Sequence, residues 1–400
     1  MIRSAKTTIK FANSGKKESI FRLLDESKRV AQFFVDVFWD MDKVPSLAPK
    51  EVTDKIDTWL SARLVQCVAK QASGIVRGTR QKQKRREYAI KKLNEEGCFK
   101  QARRVQKAHD KAKVSKPTLK KFCLELDSRF VKIEEKRGGF FNGWITLSSL
   151  GEQLKINVPF YRTGVFNKWK KKGALKAGIR LSDKEITFMF DIEDKAEKER
   201  GKTVGIDVGV KNTISCSNGF SNQPNVHGHD LTTISERLAR KKKGSKGFKK
   251  EQAHRENYIN WSIKQLNLRG VKQVNVENIK QMRSGKKSSR KISHWTYAKI
   301  FERLERKCEE EGVLLNRVSP TYTSQRCSNC GWTRKRNRKG KAFRCGKCGF
   351  TFDSDLNAAR NISFELPEIS KKQRRQRMNL KGFYWYVVGQ APVVPVVRKA

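Results

Sequence analysis

Two sets of ligand-forming residues meet within residues 327–362. Cys327-x2-Cys330 is followed, fourteen residues later, by Cys345-x2-Cys348. Two such knuckles can bring four thiolates to the corners of a tetrahedron around zinc, and four sulfur ligands close its shell, which makes the site structural rather than catalytic. Gly331 and Gly349 each follow a knuckle and permit the turn there. Next come Asp353 and Asp355, at the mouth of a helical pattern, DLNAARNI. A carboxylate at a helix N-terminus suits the helix dipole and can hold a divalent metal.

Two further acids stand out because their neighbours are apolar. Asp207 lies in TVGIDVG and Glu277 in VKQVNVENI. An unpaired carboxylate in such a strand is costly, and a divalent cation removes the cost. Two magnesium ions about 4 Å apart could activate a water and stabilise the leaving oxygen of a phosphodiester. Taken singly, each acid could equally be a partly exposed residue or half of an ion pair.

The whole chain narrows the partner. Lys and Arg number 89 against 40 Asp and Glu, a net charge of +49 in 400 residues. That excess calls for a polyanion, and nucleic acid is the natural one. The densest tract, residues 77–121, holds 17 Lys or Arg against 4 acids. Arg77, Arg80, Lys84, Arg85, Arg86, Arg103, Arg104 and Lys107 are its candidate phosphate contacts. No run of about 18 apolar residues suggests a membrane span, and the opening MIRSAKTTIKF lacks the apolar core of a signal peptide. Cys67, Cys98, Cys123, Cys216 and Cys308 are scattered and read as reduced. A cytoplasmic, nucleoid-associated protein in a reducing compartment is expected.

Several elements must position these residues. Residues 4–11 read as a strand. Residues 19–40 read as a helix, with Ile20, Leu23, Leu24, Val30, Phe34 and Phe38 on one stripe, and a second helix is predicted from about Asp54. From 122 to 192 the period becomes two, which predicts a small antiparallel sheet or barrel that the first strand could complete. A polar linker, 194–202, precedes a strand–turn–strand carrying Asp207. Helical patterns over 231–266 and 294–311, a strand over 271–279 and another over 313–318 follow. KKQRRQR (371–377) opens a loose basic tail. His227-Gly228-His229 reads as a loop, and His254 and His294 as ordinary helix residues. Trp144, Trp169, Tyr161 and Phe166 suit core packing better than base stacking, whereas Tyr322, between a strand and the cysteines, is a candidate substrate contact.

An acid in a first strand, an acid in a later strand and an acid in a last helix is the layout of RNase H-like folds. GIDVGVKN, VNVENI, SPTYTSQRCSNCG and DSDLNAARNI resemble the three RuvC motifs and zinc segment of transposon-encoded TnpB proteins and of their relatives, the miniature type V CRISPR effectors. The strong resemblance covers about 203–362. It implies catalytic, magnesium-binding roles for Asp207, Glu277 and Asp355, with Asp353 orienting or solvated. Asn357 and Arg360 would support the helix or touch substrate, and Lys341 stands where members often carry Gln. The implied fold is multidomain α+β. Residues 1–13 and 117–195 would form a wedge β-barrel, with a helical recognition domain (14–116) inserted. An RuvC-like nuclease (203–318 and 353–370) would carry an inserted zinc ribbon (319–352), ahead of a basic tail (371–400). The implied activity is RNA-guided cleavage of double-stranded DNA by a protein holding a structured guide RNA, as a monomer rather than a dimer. A CRISPR effector with a repeat-derived guide is the near alternative, and a non-cleaving RNA- or DNA-binding regulator the distant one. A transposase is a poorer fit.

Overall fold

The computed structural model describes the chain apart from residues 112–114, 137–138, 210–211, 223, 226, 280–295, 371–372, 374–375, 378–380 and 387–400. His294 and most of the tail therefore lie outside the described residues. The chain folds as two units, Met1–Glu193 and Asp194–Ala400.

In the first unit, β1 (Ile2–Thr8) leads into α1 (Ser14–Asp40), whose Asn13 cap accepts the Lys16 N–H at 3.0 Å. A short α2 (Lys50–Thr53) precedes the long α3 (Ala62–Glu95), and α4 (Phe99–Lys111) follows. The second long helix begins at Ala62, not near Asp54. Ile56 and Leu60 continue its apolar spacing, but the Ser61 hydroxyl caps the helix by accepting the Leu64 N–H at 3.2 Å, and Thr58 accepts the Leu60 N–H at 3.3 Å. Local side-chain acceptors thus end the pattern early. Then come β2 (Leu124–Leu126), β3 (Val131–Glu135), β4 (Gly143–Leu147), β5 (Ile156–Phe160), α5 (Gly164–Lys170), β6 (Gly173–Leu181) and β7 (Glu185–Ile192).

These strands form two antiparallel sheets, β1-β7-β6-β2 and β3-β4-β5. The ladders of the described residues do not close into one barrel. The chain leaves the first sheet after β2 through a turn in which Asp127 accepts the Arg129 N–H at 3.0 Å. Ile186, Phe188, Phe190 and Ile192 all face inward along β7, as a period of two requires. They share one core with Phe34, Phe38, Leu64 and Val68 of the helices. Phe166 and Trp169 are buried in it, while Trp144 and Tyr161 are half-buried beside Phe141.

The second unit is built on a sheet of order β11-β10-β8-β9. Its members are β8 (Lys202–Asp207), β9 (Ser215–Cys216), β10 (Val271–Glu277) and β11 (Leu314–Val318). β8, β10 and β11 run parallel and β9 antiparallel. α6 (Leu231–Arg240), α7 (Lys246–Lys264) and α8 (Tyr297–Glu311) contribute Ile234, Leu238, Ile259, Ile263, Ile300 and Leu304 to the core that also buries Val204, Ile206, Val274 and Val276. The C-terminal part adds small sheets: β12 (Trp332–Thr333) with β16 (Phe383–Tyr384), and β13 (Arg338–Lys339), β14 (Ala342–Arg344) and β15 (Thr351–Asp353). Between them lies α9 (Ser354–Ser363). Part of the presumptive loose tail is thus anchored, since Phe383–Tyr384 pairs with Trp332–Thr333.

α9 crosses β8 at Gly205. A Cβ there would lie 2.1 Å from the Ala359 carbonyl oxygen and 2.4 Å from the Ser363 nitrogen. Backbone on backbone leaves no room for relaxation, so Gly205→Ala is expected to destabilise the second unit by about 3 kcal/mol. The check is a shift of that unit's urea unfolding transition, with the first unit's transition unmoved.

Among the described residues no helix is long and apolar enough to cross a membrane.

Candidate active site and thiol cluster

The register of the parallel strands brings two acids together. Ile206 on β8 pairs with Val276 on β10, so the next residues, Asp207 and Glu277, stand level at the carboxyl ends of adjacent strands. Side chains alternate along a strand, so Asp207 shares a face with Gly205, and Glu277 with Asn275. That face is the one α9 covers. Gly205 meets its backbone, and the buried Asn275 donates from Nδ2 to the Ile362 carbonyl at 3.1 Å. The N-terminus of α9, with Asp355, therefore comes to the strand ends that carry the other two acids.

Asp353 is the N-cap of α9. Its Oδ1 accepts from the backbone N–H of Asp355 (2.9 Å) and of Leu356 (3.0 Å), which fixes the turn that aims Asp355. Asp355 itself is only 7% exposed, yet both its oxygens are engaged. Arg338 Nη2 donates to Oδ1 at 3.0 Å, and Lys341 Nζ pairs with Oδ2. Glu277 accepts the hydroxyl of buried Thr323, and its backbone carbonyl accepts the Tyr297 hydroxyl. None of these four partners was legible as a site residue. Thr323 lies in the SPTYTSQ stretch, the one signal that pointed to it.

Burial and the neighbouring acids suppress the ionisation of Asp207. The Asp207 carboxyl is pushed up from 3.8 to about 8, first by burial and then by the negative charges of Glu277 and Asp355, against the pull of Arg338 and Lys341. Glu277 is also raised, by burial, with the Thr323 hydrogen bond opposing. An oxygen-only donor set of three carboxyl groups suits a hard divalent cation such as magnesium. Asp207, Glu277 and Asp355 are the residues that could hold it. They are not gathered to ligand spacing: among the described residues, the four cysteines are the only set of three or more Cys, His, Asp or Glu ligands within 4.8 Å of one another.

The four thiols fit zinc closely. Cys330 and Cys345 sulfurs lie 3.6 Å apart, and Cys327 and Cys348 sulfurs 3.8 Å. Zn–S bonds of about 2.3 Å in a tetrahedron require sulfur separations of about 3.8 Å. These separations are far beyond a disulfide's, about 2.05 Å. Gly331 (φ 75°) and Gly349 (φ 72°) take the left-handed turn after each knuckle, donating to the Cys327 and Cys345 carbonyls. Phe343, Trp332 and Phe350 pack with the cysteines in a small core.

Asparagines on α9 tie this ribbon to the sheet. Asn357 accepts the Ser328 N–H at 3.0 Å and donates to the Arg326 carbonyl at 2.8 Å. Asn361 donates to the carbonyls of Thr323 (2.8 Å) and Arg326 (2.7 Å) and accepts from Arg326 Nη1 at 2.7 Å. Buried Arg326 also donates from Nε to the Trp385 carbonyl at 2.6 Å; burial draws its guanidinium down to about 10, so it stays cationic at neutral pH. Arg360 stacks over Phe352, 4.1 Å from the ring centroid.

The cationic candidates divide. Arg77 donates to the Val44 carbonyl (2.8 Å) and Arg80 to those of Trp39, Met41 and Asp42, so both tie α3 to the end of α1. Lys84, Arg85, Arg103, Arg104 and Lys107 are exposed, and Arg86 is half-buried. Tyr322, held at φ 60°, packs edge-on against Phe383 and lines a cleft of about 510 Å³ with Arg334, Lys335, Arg336, Arg377 and Lys381. His229 and His254 sit ring to ring, 5.1 Å apart, with His229 bonded to Arg237 and His254 to Glu251.

Residues 297–362 match the family described as Cas12f1-like, TNB domain. Over 84 residues the chain is 44% identical to the CRISPR-associated endodeoxyribonuclease Cas12f1 of Sulfoacidibacillus thermotolerans, which is 21% of this chain and 19% of that one. Over 82 residues it is 42% identical to the TnpB-like protein aq_aa05 of Aquifex aeolicus (strain VF5), 20% of this chain and 27% of the relative. The match thus spans less than a third of either relative's length. The solved structure of the mini-RNA-guided endonuclease CRISPR-Cas_phi3 aligns over 92% of this chain and 93% of its own, with a TM-score of 0.51 and 10% identity, a likeness of fold alone. Over the cysteine segment and the helix that follows it, the chain is similar to proteins of the TnpB/Cas12f family.

Proposed function

We propose that the chain is an RNA-guided DNA endonuclease of TnpB type that cleaves double-stranded DNA at one RuvC-like centre. The observation that carries the reading is the juxtaposition of Asp207 and Glu277 on adjacent parallel strands with Asp355 on the helix laid across them. In this reading the second unit is an RNase H-like nuclease whose zinc ribbon precedes its last helix. The two sheets of the first unit are the wedge, and α1 to α4 are the recognition domain.

Asp207, Glu277 and Asp355 would hold magnesium, which when bound supplies an activated water and charge stabilisation at the scissile phosphate. The chain's own groups prepare the ligands. The Thr323 hydroxyl orients Glu277, the Asp353 cap orients Asp355, Asn275 holds α9 on the sheet, and Asn361 ties α9 to the Thr323 backbone. Exposed Lys84, Arg85, Arg103, Arg104 and Lys107 would grip the guide RNA and its duplex with target DNA through phosphates, since A-form helices are recognised by backbone and shape. Tyr322 and its cationic cleft would receive the displaced strand. With one centre, the two DNA strands are cut in turn, by a monomer acting at the nucleoid.

The test is to express the chain with its native flanking DNA, purify it and sequence the bound RNA. One abundant RNA ending in sequence from beyond the element's edge supports this reading. Repeat-derived RNAs with variable spacers move the chain to the CRISPR effectors. Absence of any discrete RNA overturns guidance and leaves a nuclease or a regulator.

A further inference from the structure

The cations on Asp355 come from a single turn of the ribbon. Arg338 ends on Asp355 Oδ1 and Lys341 on Oδ2, from either side of Gly340. The turn is stitched to the first residue of α9: the Ser354 N–H donates to the Lys341 carbonyl at 2.8 Å, and the Ser354 hydroxyl to the Gly340 carbonyl at 2.9 Å. The two cations are not equivalent. Arg338 also donates from Nε to the Gly340 carbonyl at 3.3 Å, which braces it within the turn, and its side chain is 34% exposed. Lys341 is 42% exposed on a flexible four-carbon stem, so it is the partner that can swing into water.

Asp355 therefore has no oxygen without a cationic donor, and the three acids do not stand at ligand spacing. We infer that Lys341 is a built-in counter-ion that competes with the divalent cation for Asp355, so that the ribbon turn sets the cation affinity of the centre. The inference rests on the reading of Asp207, Glu277 and Asp355 as cation ligands. It makes Lys341 a positioning residue, acting through Asp355. Loading the centre requires the ammonium to leave Oδ2, and the electrostatic cost of that exchange lowers the affinity for any divalent ion.

The experiment titrates manganese into the full-length, zinc-replete protein without nucleic acid and reads free Mn2+ by electron paramagnetic resonance. Lys341→Gln is expected to bind Mn2+ about tenfold more tightly than wild type, a modest share of a close charge–charge interaction. Lys341→Arg, which keeps the charge, should match wild type. Asp355→Asn should weaken binding at least about tenfold and erase the gain from Lys341→Gln. If Asp355→Asn weakens binding but Lys341→Gln binds no more tightly than wild type, the counter-ion role is overturned and the cation centre stands. If Asp355→Asn binds Mn2+ like wild type, the cation centre itself is overturned. Zinc content and circular dichroism verify each fold, and Lys341→Met replaces Lys341→Gln should the latter lose its zinc.

Discussion

Asp207→Asn is expected to reduce single-turnover DNA cleavage at least about 10³-fold, while affinity for guide RNA and target DNA stays within about twofold. Asn keeps the shape and the place in β8 but removes the charge the cation needs. The residue ends β8, between buried Ile206 and Val208 in the chain and far in sequence from the exposed cations of α3 and α4, so binding has no reason to follow. A regulator that never cuts predicts no change in function from the same substitution. Retained cleavage at wild-type rate would remove Asp207 from the centre. A second readout needs no nucleic acid. The folded protein holds the Asp207 proton until about pH 8, whereas the unfolded chain releases it near 3.8. The unfolded state then carries fewer protons across that interval, so stability falls as pH rises from about 4 to 8 in magnesium-free, zinc-replete buffer. Asp207→Asn should flatten this part of the profile, and saturating magnesium should offset it.

Loss of zinc is expected to unfold the ribbon and abolish cleavage, leaving Met1–Glu193 intact. The ribbon core is four cysteines with Phe343, Trp332 and Phe350, too little apolar surface to hold two short sheets. Structural zinc in small modules supplies on the order of 10 kcal/mol or more, which here is most of the ribbon's stability. The damage reaches two acids. Thr323, which bonds Glu277, is held by Asn361 together with the Arg326 backbone. The turn bearing Arg338 and Lys341 is the ribbon's own. Hydrogen exchange of Cys330→Ser/Cys345→Ser should show lost protection across 325–353 and unchanged protection in β6 and β7. Full protection of the ribbon amides in that variant would show that packing, not zinc, holds it.

The parts of this molecule legible in its sequence are those where one residue type violates its surroundings. Asp207 and Glu277 stood out as acids in apolar strands, and the cysteines by spacing. The partners of the acids were hidden for the opposite reason. Lys341 and Arg338 belong to TRKRNRKGKAFR, where seven of twelve residues are basic, and the β13–β14 turn decides which two reach Asp355. Arg77 and Arg80 carry a similar lesson: on a basic helix they read as phosphate contacts, and the structure also gives them carbonyls at and just after the end of α1, which no periodicity reveals. The start of α3 was missed because Ile56 and Leu60 continue its spacing while Ser61 supplies the cap. The pairing of Phe383–Tyr384 with Trp332–Thr333 is two residues long, below what alternation can signal.

That short pairing has a bearing on how the chain is made. The ribbon's first strand pairs with Phe383–Tyr384, and Arg326 Nε reaches the Trp385 carbonyl. During synthesis the first unit has all its strands once residue 192 has emerged, and can fold early, as N-terminal domains do. The ribbon's clasp, and through Arg326 and Asn361 the seat of Thr323 beside Glu277, is still missing a piece more than 190 residues later. A ribosome thus releases the exposed cations of α3 and α4 well before the setting of the three acids is complete, and the interval between the two is written into the order of the polypeptide.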